Sequence, residues 1–558
     1  MMASGQPARR LLISLLLFVT TFAAVLGQAT SDPALVVAAR DGDFEAVRAL
    51  LAKRVNVNER ARDGSTALLW AVHHSDLRMV RALAAAGANF SMPNHYGVTP
   101  LLEASRTGDA PIIAELLRAG ADVRRSVHPE GETPLMAASR TGKLDAVKLL
   151  IEAGSDPNAV DGYQKQTALM RAAEEGHVDV VNALLAAGAD PNMKAHVSLL
   201  TERKHADHPT GGFTALMFAV RNGHENVVRA LVKGGADLKA VNGDGLTATS
   251  IAIVNDRFDL ARTLLDLGAD PNDGALFFAV DMRDATTDMR ARDGSRLRAD
   301  HPNELTALDL VKLLLERGAD PNKPFVGQIH NTSLCCSEEH NASPFFRAAI
   351  ASDVEALKLM IKHGAQLEWS PTEVKKKDGD AAGGRGANAN VGKTPAMAAM
   401  VGGRGAPFAA GPGFDRLIAP PYREPANRDP GEALRVLLSA GANPNAKTAD
   451  GETLLHQAVT ARRTDMIRDL VAAGAKLDAV NKDNLTPLLL AEKPEPPPPP
   501  GNNTDSRAWR PRRDSREEVI AALRELMGLG PNDPAPVPPA REEKKAEAAP
   551  GQKSGGTP

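Results

Sequence analysis

Residues 386–394 carry the pattern closest to a phosphate-binding loop. They read Gly-Ala-Asn-Ala-Asn-Val-Gly-Lys-Thr, and glycines followed by lysine and threonine can surround phosphate oxygens with amide and ammonium hydrogens. Five residues rather than four separate Gly386 from Gly392, and no strand pattern precedes them. Gly392-Lys393-Thr394-Pro395 also matches a turn that recurs along the chain. We therefore interpret this segment as a turn, and predict no cofactor.

A second chemical candidate is the adjacent pair Cys335 and Cys336, the two cysteines of the chain. His330 and His340 lie nearby, and thiolates with imidazoles could bind zinc or copper. Paired Cys-x-x-Cys spacing is absent, which favours free thiols or a vicinal disulfide over a metal site. A metal- or redox-responsive function through this segment stays open as an alternative, and we assign no metal ligand.

Neither an HExxH zinc motif nor a nucleophile elbow occurs, and we predict a protein that is not an enzyme and has no catalytic residue. The formal net charge is −3 with no basic stripe, which disfavours nucleic acid as a partner. Aromatic residues make up 4% of the 558 residues. Alanine, leucine and glycine dominate instead, which is typical of helices packed closely together.

The first 29 residues have the pattern of a secretory signal. Arg9 and Arg10 precede an apolar run of 16 residues, Leu11 to Leu26, shorter than the roughly 20 that a membrane-spanning helix needs. Gly27 and Ala29 fit a cleavage site; cleavage after Gly27 and retention as an uncleaved anchor are the alternatives. We predict an exported protein, periplasmic or extracellular, with no membrane contact beyond a cleaved signal.

A glycine that ends an apolar helical pattern recurs with a base period of 33 residues. Its positions are Gly87, Gly120, Gly154, Gly188, Gly235, Gly268, Gly318, Gly364, Gly441 and Gly474. Glycine suits the left-handed turn at a helix C-terminus. A first helix precedes each such helix, opened by threonine and often proline, as in Thr133-Pro134, because threonine can cap the first turn and proline fits the first helical position. Each unit is thus predicted to be a turn followed by two helices.

Residues 136–158, MAASRTGKLDAVKLLIEAGSDPN, and residues 170–192, MRAAEEGHVDVVNALLAAGADPN, resemble the ankyrin repeat. The resemblance covers roughly Asp32 to Gly528 and implies an all-α ankyrin-repeat solenoid of about 12 helix-turn-helix repeats with loop insertions. The family's first-helix histidine, which ties neighbouring turns together, is present here only as His456. Leucine or methionine stands at its equivalents.

The predicted order combines repeats with insertions. It comprises a signal peptide at 1–29, repeats 1–5 at 30–196, an insertion at 197–211, repeats 6–8 at 212–325 with an insertion at 283–304, and the Cys335–Cys336 insertion at 326–341. Next come repeat 9 at 342–370, a Gly/Ala-rich insertion at 371–391, repeats 10–12 at 392–493 with an insertion at 402–430, a Pro-rich insertion at 494–513, a capping helix at 514–528 and a disordered tail at 529–558.

The resemblance implies protein ligands and a concave groove lined by the first helix of each repeat. The side chains expected there are Trp70, His74, Arg106, Arg140, Arg171, Phe218, Arg221, Ile251, Phe278 and Arg347. Phe218, Ile251 and Phe278 are expected to form one apolar patch; the alternative is that they are core residues beneath neighbouring helices. The arginines either contact the partner or form a solvated face paired with Glu103 and Glu174.

We therefore predict a non-catalytic scaffold that binds a partner protein in the groove, outside the cytoplasm and as a monomer. Inhibition or stabilisation of an exported enzyme is the other alternative, as a special case of such binding.

Overall fold

The computed structural model describes residues 32–124, 130–197, 211–284, 303–325, 342–372, 391–401, 429–448, 450–494 and 514–537. The predicted signal peptide, the phosphate-loop-like pattern up to Asn390 and the Cys335–Cys336 segment lie outside these residues. So do the larger parts of the predicted insertions and of the tail.

The described residues form 24 helices and isolated bridges without strands, which confirms the all-α prediction. The first twelve are α1 Ala34–Arg40, α2 Phe44–Ala52, α3 Ala67–His73, α4 Leu77–Ala85, α5 Pro100–Thr107, α6 Ala110–Arg118, α7 Pro134–Thr141, α8 Leu144–Glu152, α9 Ala168–Glu175, α10 Val178–Ala186, α11 Ala215–Asn222 and α12 Glu225–Lys233. The next twelve are α13 Ala248–Val254, α14 Phe258–Asp266, α15 Ala275–Asp284, α16 Ala307–Glu316, α17 Pro344–Ile350, α18 Val354–Lys362, α19 Pro395–Val401, α20 Pro430–Ser439, α21 Leu454–Ala461, α22 Thr464–Ala472, α23 Pro487–Glu492 and α24 Arg516–Leu526.

The chain divides into two compact units, each a double row of helices. Unit 1 comprises the described residues within 1–196 and 212–237, and unit 2 comprises those within 197–211 and 238–558. In unit 1 the odd-numbered helices α1 to α11 pack on one another in sequence, and the even-numbered helices α2 to α12 form the second row. In unit 2 the odd-numbered helices α13 to α23 and the even-numbered helices α14 to α24 repeat this arrangement.

The predicted caps explain where the helices begin and end. Threonines such as Thr66, Thr99 and Thr453 accept hydrogen bonds from the third amide of the first helix in their repeat. The ten recurrent glycines all have positive φ, between 85° at Gly87 and 102° at Gly441, where a side chain would be strained. The last helix has the capping box predicted at Ser515 and Glu518.

An asparagine at the end of many repeats joins each of them to the next. Asn158 Oδ1 accepts a hydrogen bond from Asp190 N (2.7 Å), and its Nδ2 donates to the Gly188 carbonyl (3.0 Å). The same pair of bonds recurs at Asn58, Asn192, Asn272, Asn322 and Asn445. Backbone groups that would be left unsatisfied at a helix end are thus bound by the preceding repeat.

Three predicted boundaries shift slightly. Helix α15 continues through Asp284 and so includes the first two residues of the insertion expected at 283–304. Asp429 caps α20, so the insertion expected to end at residue 430 ends earlier. Beyond Leu529, Arg524 Nη1 donates to the carbonyls of Gly530 (2.9 Å) and Asp533 (2.8 Å). The first residues of the segment predicted to be a disordered tail are therefore held against the last helix.

Candidate partner-binding surface

An aromatic cluster lies at the end of helix α3 in unit 1. The half-buried Trp70 ring stacks on His74 (6.2 Å between centroids, 28°) and meets His73 edge-on (5.6 Å, 87°). Both histidines are exposed, and His74 Nε2 lies 2.8 Å from the Arg40 carbonyl of the preceding repeat. The Trp70 indole Nε1 has no hydrogen-bond partner among the described residues. The cluster thus combines a fixed apolar ring with polar edges, as interface anchors often do.

Charged side chains along the first helices of unit 1 largely neutralise one another. The ion pairs are Arg106–Glu132 (2.7 Å), Arg171–Asp161 (3.2 Å) and Arg221–Glu174 (2.8 Å), and His73 Nδ1 makes a hydrogen bond with Glu103 Oε1 (2.7 Å). Arg221 also lies over the rings of Phe213 (5.4 Å) and Phe218 (5.1 Å). Three of the expected partner-binding arginines are therefore engaged within the chain.

Arg140 differs from those three arginines. It is exposed in the last turn of α7, and no carboxylate of the described residues lies within ion-pair distance of its guanidinium. Its backbone carbonyl accepts a hydrogen bond from His177 Nε2 (3.0 Å) when that nitrogen carries the proton. Arg140 is therefore a cation available to a partner, on a helix whose end is fixed to the next repeat.

The expectation that Phe218, Ile251 and Phe278 face the groove is wrong. Their exposed fractions are 5%, 1% and 1%. Phe278 meets Phe325 edge-on at 4.7 Å between centroids, and Phe218 packs against Phe213 at 5.4 Å. The alternative interpretation as core residues holds, because these positions turn toward neighbouring helices and loops instead of solvent.

Arg347, also expected in the groove, is buried as well, with 5% exposed. Its Nε and Nη2 lie 2.9 and 2.8 Å from Asp281 Oδ1, and the carboxylate is itself buried. Arg283, two residues after Asp281, forms a second buried ion pair. Its Nε and Nη2 donate to the two carboxylate oxygens of Asp353 (2.6 and 3.0 Å). These arginines hold helices α15, α17 and α18 of unit 2 together and are not available to a partner.

Two exposed tyrosines were missed by the sequence reasoning as site residues. Tyr96 and Tyr163 are 65% and 74% exposed at the turns before helices α5 and α9. The chain has three tyrosines in all, and their place at the centre of a turn was the available signal. We define the unit 1 face as the residues Trp70, His73, His74, Tyr96, Arg140 and Tyr163.

Local hydrogen bonds fix the turns that carry these tyrosines. His95 N donates to the Asp63 carbonyl of the preceding turn (2.9 Å), and Tyr96 N donates to Asn94 Oδ1 (3.0 Å). In the other turn, Tyr163 N donates to Asp161 Oδ1 (3.1 Å), and the same carboxylate binds Arg171 of helix α9. The turns therefore lie beside the first helices and present their tyrosines from a defined backbone.

Neither a metal-ligand cluster nor a helix that could cross a membrane is found among the described residues. No group of three or more His, Cys, Asp or Glu side chains there is arranged to hold a metal ion. No helix of the described part of the chain has the length and apolar character that crossing a membrane requires. The cysteine pair is outside that part, so the metal and redox alternative keeps its status as a hypothesis.

Helix pairs stacked in two rows, joined by turns and asparagine bridges, define a helical repeat protein. Family models described as "Ankyrin repeats (3 copies)" match residues 35–127, 101–195 and 196–275, and a model described as "Ankyrin repeats (many copies)" matches residues 428–471. Together these matches span about half of the chain. The chain belongs to the ankyrin repeat family, whose members are typically non-catalytic and mediate protein–protein interactions.

Comparison with solved structures gives many matches, one of which is a human ankyrin repeat domain. The crystal structure of the human ASB11 ankyrin repeat domain is 26% identical, and the match covers 42% of this chain and 97% of that one with a TM-score of 0.36. No curated protein matches the sequence.

Proposed function

We propose that this chain is a non-catalytic, monomeric scaffold that binds a partner protein along the unit 1 face, outside the cytoplasm. The proposal rests on the exposure of Tyr96 and Tyr163, 65% and 74%, at the turns of two repeats of unit 1, together with the Trp70 ring of an earlier repeat. Tyrosine and tryptophan are over-represented among residues that dominate interface energies, where truncation costs about 2 kcal/mol or more.

The rigidity of the surface supports this proposal. The turn hydrogen bonds at His95 and Tyr163 fix the backbone beneath both tyrosines before any partner arrives. Binding through such anchors loses little conformational entropy, so more of the contact energy appears as affinity. Arg106, Arg171 and Arg221 are paired with carboxylates of the chain itself, whereas Arg140 is exposed on the unit 1 face. We therefore expect a carboxylate of the partner to contact Arg140.

Affinity capture from the exported fraction tests the proposal with the full-length protein. The double variant Tyr96→Ser, Tyr163→Ser should reduce the recovery of the partner at least tenfold. The control variant Lys148→Ser, Glu152→Ser changes two exposed residues of the second-row helix α8 and should leave recovery unchanged. Equal recovery with both folded variants would refute the unit 1 face as the binding surface.

Export is tested separately by cell fractionation. Replacing Leu15 and Leu16 with arginine interrupts the apolar run and should keep the protein in the cytoplasm. The N-terminal sequence of the exported wild type distinguishes cleavage after Gly27 from cleavage after Ala29. Light scattering of the same material checks the monomer, since the full chain has a mass of 58.9 kDa.

A further inference from the structure

Turns of successive repeats are joined by single backbone hydrogen bonds. In unit 1, His95 N donates to the Asp63 carbonyl (2.9 Å). In unit 2, Gly243 N donates to the Gly211 carbonyl (2.9 Å) and Lys482 N to the Asp450 carbonyl (2.9 Å). A turn therefore normally lies against the turn of the repeat before it.

The repeat that begins with helix α15 lacks this turn. Seven positions separate Gly268 from Ala275, the first residue of α15, whereas thirteen separate Gly235 from Ala248 and Gly441 from Leu454. The described residues 268–275 pass from one helix to the next in a short loop. The row of turns in unit 2 is consequently interrupted at this repeat.

A pocket of about 220 Å³ occupies the place of the missing turn. Its apolar walls are Phe277 and Phe325, whose rings stack at 5.7 Å, with Pro271 and Pro324 beside them. Gly274 keeps it open with a φ of +102°, and a Cβ there would lie 2.7 Å from the Phe325 ring. Pockets for small molecules usually enclose about 300–1,000 Å³, so this one suits a single long side chain.

The polar residues of the pocket favour a cation. Asp273 and Asp320 both line it, while the Lys323 ammonium lies 2.7 Å from the Asn272 carbonyl and is engaged there. Asp273 accepts hydrogen bonds from Thr247 Oγ1 (2.6 Å) and Ala275 N (3.0 Å), yet burial raises the pKa of its carboxyl. A cation in the pocket would stabilise the ionised carboxylate. With two carboxylates and one ammonium among its lining residues, the pocket has a net negative charge when both aspartates are ionised.

We propose that this pocket binds an arginine side chain presented by a peptide segment of a partner. The methylene stem would lie along the apolar wall that the Phe277 and Phe325 rings form, and the guanidinium would meet the carboxylates of Asp273 and Asp320. Arginine fits better than lysine because its planar guanidinium donates several hydrogen bonds in one plane and can therefore meet two carboxylates at once. The site is separate from the unit 1 face, so either proposal can fail without the other.

Saturation-transfer NMR with the full chain tests the proposal directly. The probes are the peptide Ac-Gly-Arg-Gly-NH2 and its citrulline analogue, which keeps the shape but removes the charge. We expect saturation of the arginine methylenes, and a dissociation constant at least tenfold higher for citrulline. Equal binding of the two peptides, or no saturation with either, would overturn the proposal.

Two matched variants locate the binding. Asp320→Asn should weaken arginine peptide binding at least threefold. The control Asp190→Asn alters the same loop position of a repeat in unit 1 and should leave arginine peptide binding unchanged. The two aspartates make the same local hydrogen bond: Asp190 Oδ1 accepts from Asn192 N, and Asp320 Oδ1 accepts from Asn322 N, both at 2.8 Å. Because both aspartates are exposed, both variants should fold. Equal effects of the two substitutions would contradict the assigned site.

Discussion

At the scale of single residues, His456 uses both ring nitrogens to join two repeats. Nδ1 lies 2.8 Å from Thr453 Oγ1, and Nε2 lies 2.9 Å from the Leu485 carbonyl oxygen in the next turn. Since a carbonyl only accepts, Nε2 carries the proton in the neutral ring. The resemblance to the ankyrin repeat predicted this tie between turns, and the structure confirms it. Burial of the ring lowers the pKa of His456 below its ordinary value of 6.5.

This lowered pKa makes stability depend on pH. The unfolded chain binds the proton more tightly than the folded one, so the stabilisation is complete above pH 6.5 and is lost as the pH falls through the lower folded-state pKa. We expect the melting temperature to drop between pH 7.5 and 5.5, and to drop less in His456→Met, which carries the residue found at Met136 and Met170. Identical pH profiles by calorimetry would contradict this role.

The buried pair Arg347–Asp281 gives a second prediction at this scale. Arg347→Ala leaves the Asp281 carboxylate buried without this cation, and removing one partner of a buried pair typically costs about 3–5 kcal/mol. Arg229→Ala breaks the half-exposed pair with Glu225 and should cost less than about 1 kcal/mol. Urea unfolding measures both. Similar losses in the two variants would show that burial does not determine the effect.

At the scale of elements, the asparagine bridges should contribute measurably to stability. Asn158→Ala removes the bonds to Asp190 N and the Gly188 carbonyl, which we expect to cost about 1–2 kcal/mol. Asn89→Ala removes one bond within its own loop, to Ser91 N, and should cost less. Denaturant unfolding of the two variants compares them, and a larger loss in Asn89→Ala would contradict a bridging role.

Helices and caps could be predicted from the sequence because they depend on local patterns. A threonine before the first helix of a repeat and a glycine after the second determine helix ends without any distant contact, as at Thr99 before α5 and Gly120 after α6. The exposed face could not be predicted in the same way. Trp70 and Phe278 occupy the same position in the first helix of their repeats, yet Trp70 is half-buried and Phe278 is buried, because different loops surround them. Consecutive residues of a helix also differ by about 100° in direction, so a small error in register changes which side chain is exposed.

The missing turn before α15 also escaped the sequence reasoning. Its signal is the small number of residues between Gly268 and Ala275. Helix patterns do not reveal it, because both flanking helices are intact. A pocket forms there only because Phe325 of the next loop reaches the gap, which is a tertiary relation. The boundary of the insertion expected at 283–304 differs for a similar reason. Asn303 Oδ1 accepts a hydrogen bond from Phe258 N at the start of α14 (2.8 Å), a contact between residues 45 positions apart in the sequence.

At the scale of the whole molecule, stability should follow the repeats. Each repeat packs on its neighbours, so damage to one layer should spread mainly to the adjacent layers. Phe278→Ala removes a buried ring of unit 2, at a cost of about 3–5 kcal/mol. Hydrogen exchange should accelerate most in α13, α15 and α17 and least in α1 to α5 of unit 1. A uniform increase along the chain would contradict this nearest-neighbour organisation.

The central claim is that unit 1 holds a partner protein through its exposed aromatic side chains. Site-specific photo-crosslinking in the exporting cells tests it most directly, with a photoreactive amino acid in place of Tyr96, Tyr163 or, as a control on the second row, Lys148. We predict one crosslinked product of the same mass from both tyrosine positions and none from position 148. Crosslinks of equal yield at all three positions, or products at 148 alone, would contradict the claim.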